Sequence, residues 1–373
     1  MGSADAERAS IPTLRPVLAA PDRVPALDLV RAPVDTLLEA FLDERVRELA
    51  RVDACLERVG SEVADLVRAG GKRLRPAFVY WGYRATGAGH CDAVLTAGAA
   101  VELLHTFALI HDDVMDGSLR RRGRPTVHEA LAAAHTAEAL GGEPRRFGLS
   151  GAILAGDLAF VWADQLLDGA GIPAGALQQA RRVFTELRIE VMAGQYLDLR
   201  LAGLAGASEA DSLRVSLLKS GRYTVTRPLQ LGAALGGGDS ALDAAFRAFG
   251  DAVGVAFQLR DDVLGLFGEP EHTGKGALED LREGKRTMLM LRALRLAAAP
   301  ERAELTAILG NPCVGEAEAA RARRIVADCG ALASVERTVT EHQQRGRRAL
   351  AAVGPPAREA LEQLADLALF RVD

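Results

Sequence analysis

The sequence is poor in aromatic residues, 5% in all, has four cysteines and a single asparagine, Asn311, and shows no surplus of positive charge. With 45 Lys+Arg against 50 Asp+Glu, its formal net charge is -5. That balance excludes a broad nucleic-acid surface, because counterion release needs clustered excess Lys and Arg, so any basic site must be local. Cys55, Cys91, Cys313 and Cys329 are scattered without CxxC spacing. They point away from a zinc site or a disulfide framework and toward a reduced, cytoplasmic setting. Long apolar runs are missing as well. Asp92, Glu102 and His105 break one and Asp157 and Asp164 another, so none reaches the roughly 18 uncharged residues of a membrane span. The β-branched alternation of strands is also absent.

What is present is helix. At 49% hydrophobic and 25% charged over 373 residues, the chain is long enough to bury a large core. Residues 1–34 contain Pro12, Pro16, Pro21, Pro25 and Pro33 and read as a loose arm without the apolar segment of a secretory signal. From Asp35 to the C-terminus, apolar residues recur at three- and four-residue spacing among good helix formers, which predicts one all-α domain over 35–373. Leu37, Phe41, Val46, Leu49, Val52, Leu56 and Val59 form one such stripe, expected to stop at Gly60. Further helices are predicted near 91–115, 149–168, 174–200 and 240–265. Glycine- and proline-rich punctuation between them suits helix–helix connections rather than domain linkers.

The chemistry is concentrated in His111-Asp112-Asp113-Val114-Met115-Asp116. On a helix, Asp112 and Asp116 project from one face about 6 Å apart along the axis. Such like charges repel unless a hard divalent cation sits between them, and Mg²⁺ takes oxygen ligands while bridging to phosphates. A solvated acidic helix end explains the pair equally well on its own. Arg120-Arg121-Arg122-Gly123-Arg124-Pro125 follows directly, and planar guanidinium forks beside metal carboxylates are what a diphosphate requires. A second cationic cluster, Gly70-Gly71-Lys72-Arg73-Leu74-Arg75-Pro76, lacks P-loop spacing and in isolation reads as a basic turn. A second acidic pair, Asp261-Asp262, closes the stripe of Phe246, Phe249, Val253 and Phe257, with Gln258 beside it. Lys275, Asp280 and Gly284-Lys285-Arg286-Thr287 come after it. If the two acidic helix ends face one another, they cap an apolar shaft suited to a hydrocarbon tail with a diphosphate head.

These segments resemble the ordered motif set of the trans-prenyl diphosphate synthases, especially the geranylgeranyl and farnesyl enzymes. The resemblance runs through GGKRLRP from Gly70, LIHDDVMDGSLRRRGRPTVH from Leu109, AGDL from Ala155 and GQYLDL from Gly194. It continues through KSGRYT from Lys219, FQLRDDVLG from Phe257 and DLREGKRT from Asp280. Their joint order and spacing carry the specificity.

The resemblance implies a single-domain helical bundle around a deep central cavity, working as a homodimer. The family condenses isopentenyl diphosphate head to tail with an allylic diphosphate (dimethylallyl, geranyl or farnesyl). By motif position, Asp112, Asp116 and Asp261 would hold Mg²⁺, three ions with diphosphate bound, with Asp113 and Asp262 supporting. Arg121, Lys219 and Lys275 would hold the allylic diphosphate. Lys72, Arg75, His105 and Arg122 would hold isopentenyl diphosphate, while Gln195, Asp198 and Gln258 would line the reacting region. Cations and metal would stabilise departing diphosphate as the allylic C–O bond ionises. The alkene of isopentenyl diphosphate then attacks, a proton is lost to the released diphosphate, and water must be kept out.

Two positions depart from the pattern. Ser220 follows Lys219 where threonine is commoner, which preserves the hydroxyl. Gly265 stands where many relatives carry the third aspartate of a second DDxxD. Asp261, Gly265 and Glu269 also fall at the spacing of a class I terpene cyclase metal motif, but Gly265 offers no side-chain oxygen to it. A cyclase acting on one diphosphate has no need of Lys72, Arg75 and His105, so the condensing reading is preferred. Phe107, five residues before Asp112, and Ala108, one turn below it, resemble the pattern of C20 synthases. C20 is therefore expected ahead of C15 and longer products. His105 on its apolar helix, and Gln195 and Asp198 on theirs, would otherwise pass for ordinary interior polar residues.

Overall fold

The computed structural model describes residues 24–204, 206–268 and 277–369, and nearly all regular structure among them is helical. The helices are α1 Pro25–Val52, α2 Leu56–Arg68, α3 Leu74–Arg84, α4 Asp92–Asp116, α5 Val127–Ala137, α6 Pro144–Asp168 and α7 Ala174–Ala202. They continue with α8 Glu209–Val215, α9 Arg227–Leu235, α10 Ser240–Phe267, α11 Ala277–Arg282 and α12 Met288–Leu296. The last four are α13 Ala299–Ile308, α14 Glu316–Asp328, α15 Ala331–Ala349 and α16 Ala357–Leu369. A π-helix, Ser216–Thr226, joins α8 to α9. The one hairpin among the described residues pairs Arg120–Arg121 with Arg124–Pro125.

Helix α4 is the axis of the molecule. From Val94 to Leu104 it is buried on nearly every face, as expected of a helix apolar all round. It packs against α1, α3 and α6. Opposite it, α10 begins at Asp239, whose carboxylate caps the backbone N–H of Leu242 at 2.8 Å. Phe246, Phe249, Val253 and Phe257 of α10 then run into the core, and the helix packs on the π-helix and α15. By length and composition α4 and α6 could each cross a bilayer. In the fold, α4 is a core helix, whereas α6 leaves much of its apolar stretch uncovered.

Two sequence expectations are corrected. The first helix starts at Pro25, so residues 25–34 belong to the helical body and bury Leu27, Val30 and Val34. Pro25 sits in the first turn, where its fixed φ and missing N–H favour a helix start rather than a break. The rest of the expected arm, residues 1–23, lies outside the described residues. Likewise Gly60 does not end a helix. The chain breaks at Asp53, whose carboxylate accepts from Cys55 N at 2.9 Å, and Gly60 lies inside α2 where the Leu49 side chain closes over it.

Candidate active site

Both acidic clusters sit at helix C-termini. Asp112, Asp113 and Asp116 occupy the last two turns of α4, which Gly117 ends at φ 64°, and Asp261 and Asp262 lie near the end of α10. Asp116, at the very end of α4, faces the negative end of the helix dipole, and the crowded carboxylates need compensation from elsewhere. Asp112 and Asp261 line one cavity of about 470 Å³, together with Lys72, Arg75, His105, Arg121, Arg122, Gln195, Lys219 and Gln258. The two acidic segments, far apart in sequence, therefore converge.

The carboxylates divide their work. Asp112 Oδ1 accepts from Lys219 Nζ at 3.1 Å and from Gln195 Nε2 at 3.0 Å, with Arg121 3.6 Å from its other oxygen. Burial pushes Asp112 up, but Lys219 and Arg121 outweigh it and hold the carboxyl below its usual value. One turn on, burial and the charge of Asp112 push Asp116 up to about 6. Two crowded acids that titrate apart in this way are what a divalent cation relieves.

Asp113 and Asp262 lie off the lining of this cavity. Asp113 is 2% exposed, and Arg121 Nε donates to both its oxygens at 2.8 Å, so Asp113 aims Arg121. Asp262 Oδ1 accepts from Gln258 Nε2 at 2.9 Å. Burial, with the charges of Asp261 and Asp280, raises Asp262 to about 7. Gln258 in turn accepts from Ser220 Oγ at 2.5 Å, so the serine hydroxyl is in use.

A band of cations faces the acids. Arg73 and Arg122 both adopt left-handed backbone, φ 51° and 50°, which is costly for residues with a Cβ. Arg73 is held there by Glu102 and Asp35, each at 2.7 Å, and by the carbonyl of Val67 at 2.8 Å. Its charge is spent on these anchors, and Lys72 and Arg75 flank it on the cavity wall. Burial and then Arg73, Arg121 and Arg75 push the Arg122 guanidinium below its ordinary range, a crowding that an incoming polyanion would relieve. Lys219 Nζ bridges Asp112 and Asp198, the latter at 2.7 Å. Lys275 lies outside the described residues.

Lys219, Ser220, Tyr223 and Thr224 all ride on the π-helix, a rare geometry that recurs at functional sites. Glycine permits it. A Cβ at Gly194 of α7 would lie 2.4 Å from Lys219 N, and one at Gly254 of α10 would lie 2.3 Å from Gly221 Cα, so backbone packs directly on backbone on both sides. Gly194→Ala is expected to push the π-helix off α7. The cost should be about 1–3 kcal/mol of stability and at least roughly tenfold in kcat/KM, read by thermal denaturation and steady-state kinetics.

Gly265 has a specific neighbour. The space its side chain would enter holds the Asp280 carboxylate, whose Oδ2 is 2.6 Å from the position of such a Cβ. Lys285 Nζ lies 3.2 Å from Asp280, 2.8 Å from Glu283 and 3.7 Å from Asp116, tying the end of α4 to the segment after α11. Sequence reading quoted Lys285 and gave it no role. The missed signal is compositional: the chain has four lysines, Lys72, Lys219, Lys275 and Lys285, and each lies in or beside a motif. Ala108 lines the cavity, whereas Phe107 packs its ring 4.7 Å from His111 and 5.0 Å from Phe160 on α6, away from the cavity wall.

Comparison with known proteins agrees with this geometry. A profile of the polyprenyl synthetase family matches residues 57–326. The geranylgeranyl diphosphate synthase of Mycobacterium tuberculosis is 36% identical over 297 residues, 79% of each chain. The geranylfarnesyl diphosphate synthase of Aeropyrum pernix is 32% identical over 85% of this chain and 95% of its own. Among solved structures, the geranylgeranyl pyrophosphate synthase of Corynebacterium glutamicum, complexed with isoprenyl diphosphate and magnesium, superposes with a TM-score of 0.88. It is 36% identical and is matched over 92% of this chain and 99% of its own. An all-helical fold that gathers two remote acid clusters and a band of cations on one cavity thus meets its relatives in sequence and in shape, and the chain belongs to the polyprenyl synthetase family as a chain-elongating prenyltransferase.

Proposed function

We propose that the protein is a Mg²⁺-dependent geranylgeranyl diphosphate synthase. It would condense isopentenyl diphosphate with dimethylallyl, geranyl or farnesyl diphosphate. The observation that carries this reading is the pairing, on one cavity, of an acid-lined subsite (Asp112, Asp261, Lys219) with a cation-rich one (Lys72, Arg75, Arg122). The first suits a metal-bound allylic diphosphate and the second the diphosphate of isopentenyl diphosphate. A cyclase would have no use for the second.

The donor set fits magnesium. Among the described residues no three His, Cys, Asp or Glu side chains form a metal cage by themselves. That is the usual situation for Mg²⁺, which keeps waters and takes phosphate oxygens from its substrate. Asp112, Asp116 and Asp261 would hold the ions, three in number, and Asp280 would supply the carboxylate that Gly265 lacks. The metal's contribution is to neutralise the leaving diphosphate. Arg121, aimed by Asp113, and Lys219 would grip that group. Gln258 and Ser220, locked to each other, would border the reacting carbon. These side chains are half-buried on the cavity wall, and a bound substrate would complete the exclusion of water. The C20 product is supported by the geranylgeranyl synthases among the relatives and by the small Ala108 beside the first acids.

A homodimer is part of the same reading. Phe147, Leu154 and Val161 of α6, spaced by sevens, and Ile189, Met192, Tyr196 and Leu199 of α7, spaced 3-4-3, are all exposed. Together they make a seam of coiled-coil type, which a second copy would cover. Leu154→Glu with Val161→Glu should convert the dimer to monomer in sedimentation velocity. A cytoplasmic setting is supported by the four cysteines, all free thiols.

The test supplies labelled isopentenyl diphosphate, one allylic primer at a time, and Mg²⁺, and sizes the extracted products. Label in a C20 diphosphate is expected. Cyclised product without consumption of isopentenyl diphosphate would refute the reading.

A further inference from the structure

Tyr223 stands in the second diphosphate subsite with no part assigned to it. It is 4% exposed and rides on the π-helix one turn beyond Lys219. Its hydroxyl meets Nδ1 of His105, and the two rings are tilted by 55° with centroids 5.8 Å apart, an end-on contact rather than a stack. The Arg75 guanidinium lies over the tyrosine ring at 4.3 Å and donates to Thr224 Oγ1 at 2.9 Å.

We infer that Tyr223 is a positioning residue for isopentenyl diphosphate: by donating its proton to Nδ1 of His105, it fixes that imidazole in the neutral form that carries its hydrogen on Nε2. The inference rests on reading Lys72, Arg75 and Arg122 as the isopentenyl diphosphate subsite.

The accounting of protons carries it. A guanidinium only donates, so Arg75 cannot accept the phenolic hydrogen, and the acceptor that hydrogen meets is His105 Nδ1. With the imidazole hydrogen on Nδ1 instead, a buried phenol would lose its acceptor, a cost native interiors avoid. Burial holds the phenol above its ordinary range, so Tyr223 keeps its proton. A charged imidazolium is disfavoured too. Burial comes first, then Arg75, Arg122, Arg121 and Arg73, and together they hold His105 well below its ordinary range. Glu102, the nearby carboxylate on α4, is engaged by Arg73 at 2.7 Å. The ring lines the cavity with Nδ1 occupied, so Nε2–H is the edge left for a ligand. The subsite thereby gains a directed hydrogen-bond donor without adding a further positive charge to a crowded set of cations.

Two measurements test this. Imidazole proton–nitrogen correlation spectra of histidine-labelled, ligand-free protein should show His105 neutral with its hydrogen on Nε2, and Tyr223→Phe should lose that fixed tautomer. In kinetics, Tyr223→Phe should raise KM for isopentenyl diphosphate about tenfold while KM for the allylic substrate moves less than about twofold. In a His105→Gln background, where the side-chain amide donates regardless of Tyr223, the same substitution should cost less than about twofold. A charged or Nδ1–H ring in the unsubstituted protein would overturn the inference, as would an unchanged spectrum and KM in Tyr223→Phe. The spectrum needs no turnover, so protein that consumes no isopentenyl diphosphate but shows the Nε2–H ring would defeat the functional reading and leave the tautomer assignment standing.

Discussion

Asp112→Ala and Asp261→Ala will each lower kcat by roughly a thousandfold or more, with helix content and thermal midpoint close to those of the unsubstituted protein. The size follows from what is removed: a metal-bound leaving group derives several kcal/mol of transition-state stabilisation from the ion, and one decade of rate is about 1.4 kcal/mol. The preserved fold follows from position. Both carboxylates are only partly buried and line the cavity rather than the core, so their truncation removes little packing. Full activity in either variant, by steady-state assay with circular dichroism as control, would refute the ligand assignment.

Lys219→Met ranks second. The ammonium is the link between Asp112 at 3.1 Å and Asp198 at 2.7 Å. Burial opposes its charge, but the two aspartates prevail and raise its pKa. The thioether keeps the packing and removes the charge, so Asp112 and Asp198 are left facing one another. Expected is a fall of roughly a hundredfold in kcat/KM for the allylic diphosphate, read by steady-state kinetics. A loss confined to KM for isopentenyl diphosphate would mean that Lys219 serves the other subsite.

The helices and the acidic clusters were legible because hydrophobic spacing and charge are local signals. The predicted helix near 91–115 is Asp92–Asp116, and that near 240–265 is Ser240–Phe267. The π-helix was not legible, since KSGRYTVT shows no apolar stripe at any period and its geometry is imposed by Gly194 and Gly254 on neighbouring helices. Arg73 sits between two cations expected to hold substrate, but its own charge goes to Asp35 and Glu102, partners 38 and 29 residues away that no local pattern reveals. The same holds for Gly265: the sequence shows a missing carboxylate, and only the fold brings Asp280 into its place. Phe107 and Ala108 are neighbours in the chain, yet only the fold shows that Ala108 lines the cavity while the Phe107 ring meets His111 and Phe160 at the α4–α6 contact.

The most direct measurement is diffraction from protein bound to Mn²⁺, in place of Mg²⁺, and an allylic thiolodiphosphate that resists ionisation. Anomalous peaks should lie between the Asp112–Asp116 pair and Asp261, bridged by the analogue's phosphate oxygens. Metal confined to one of the two clusters, with the other facing only solvent, would contradict the account.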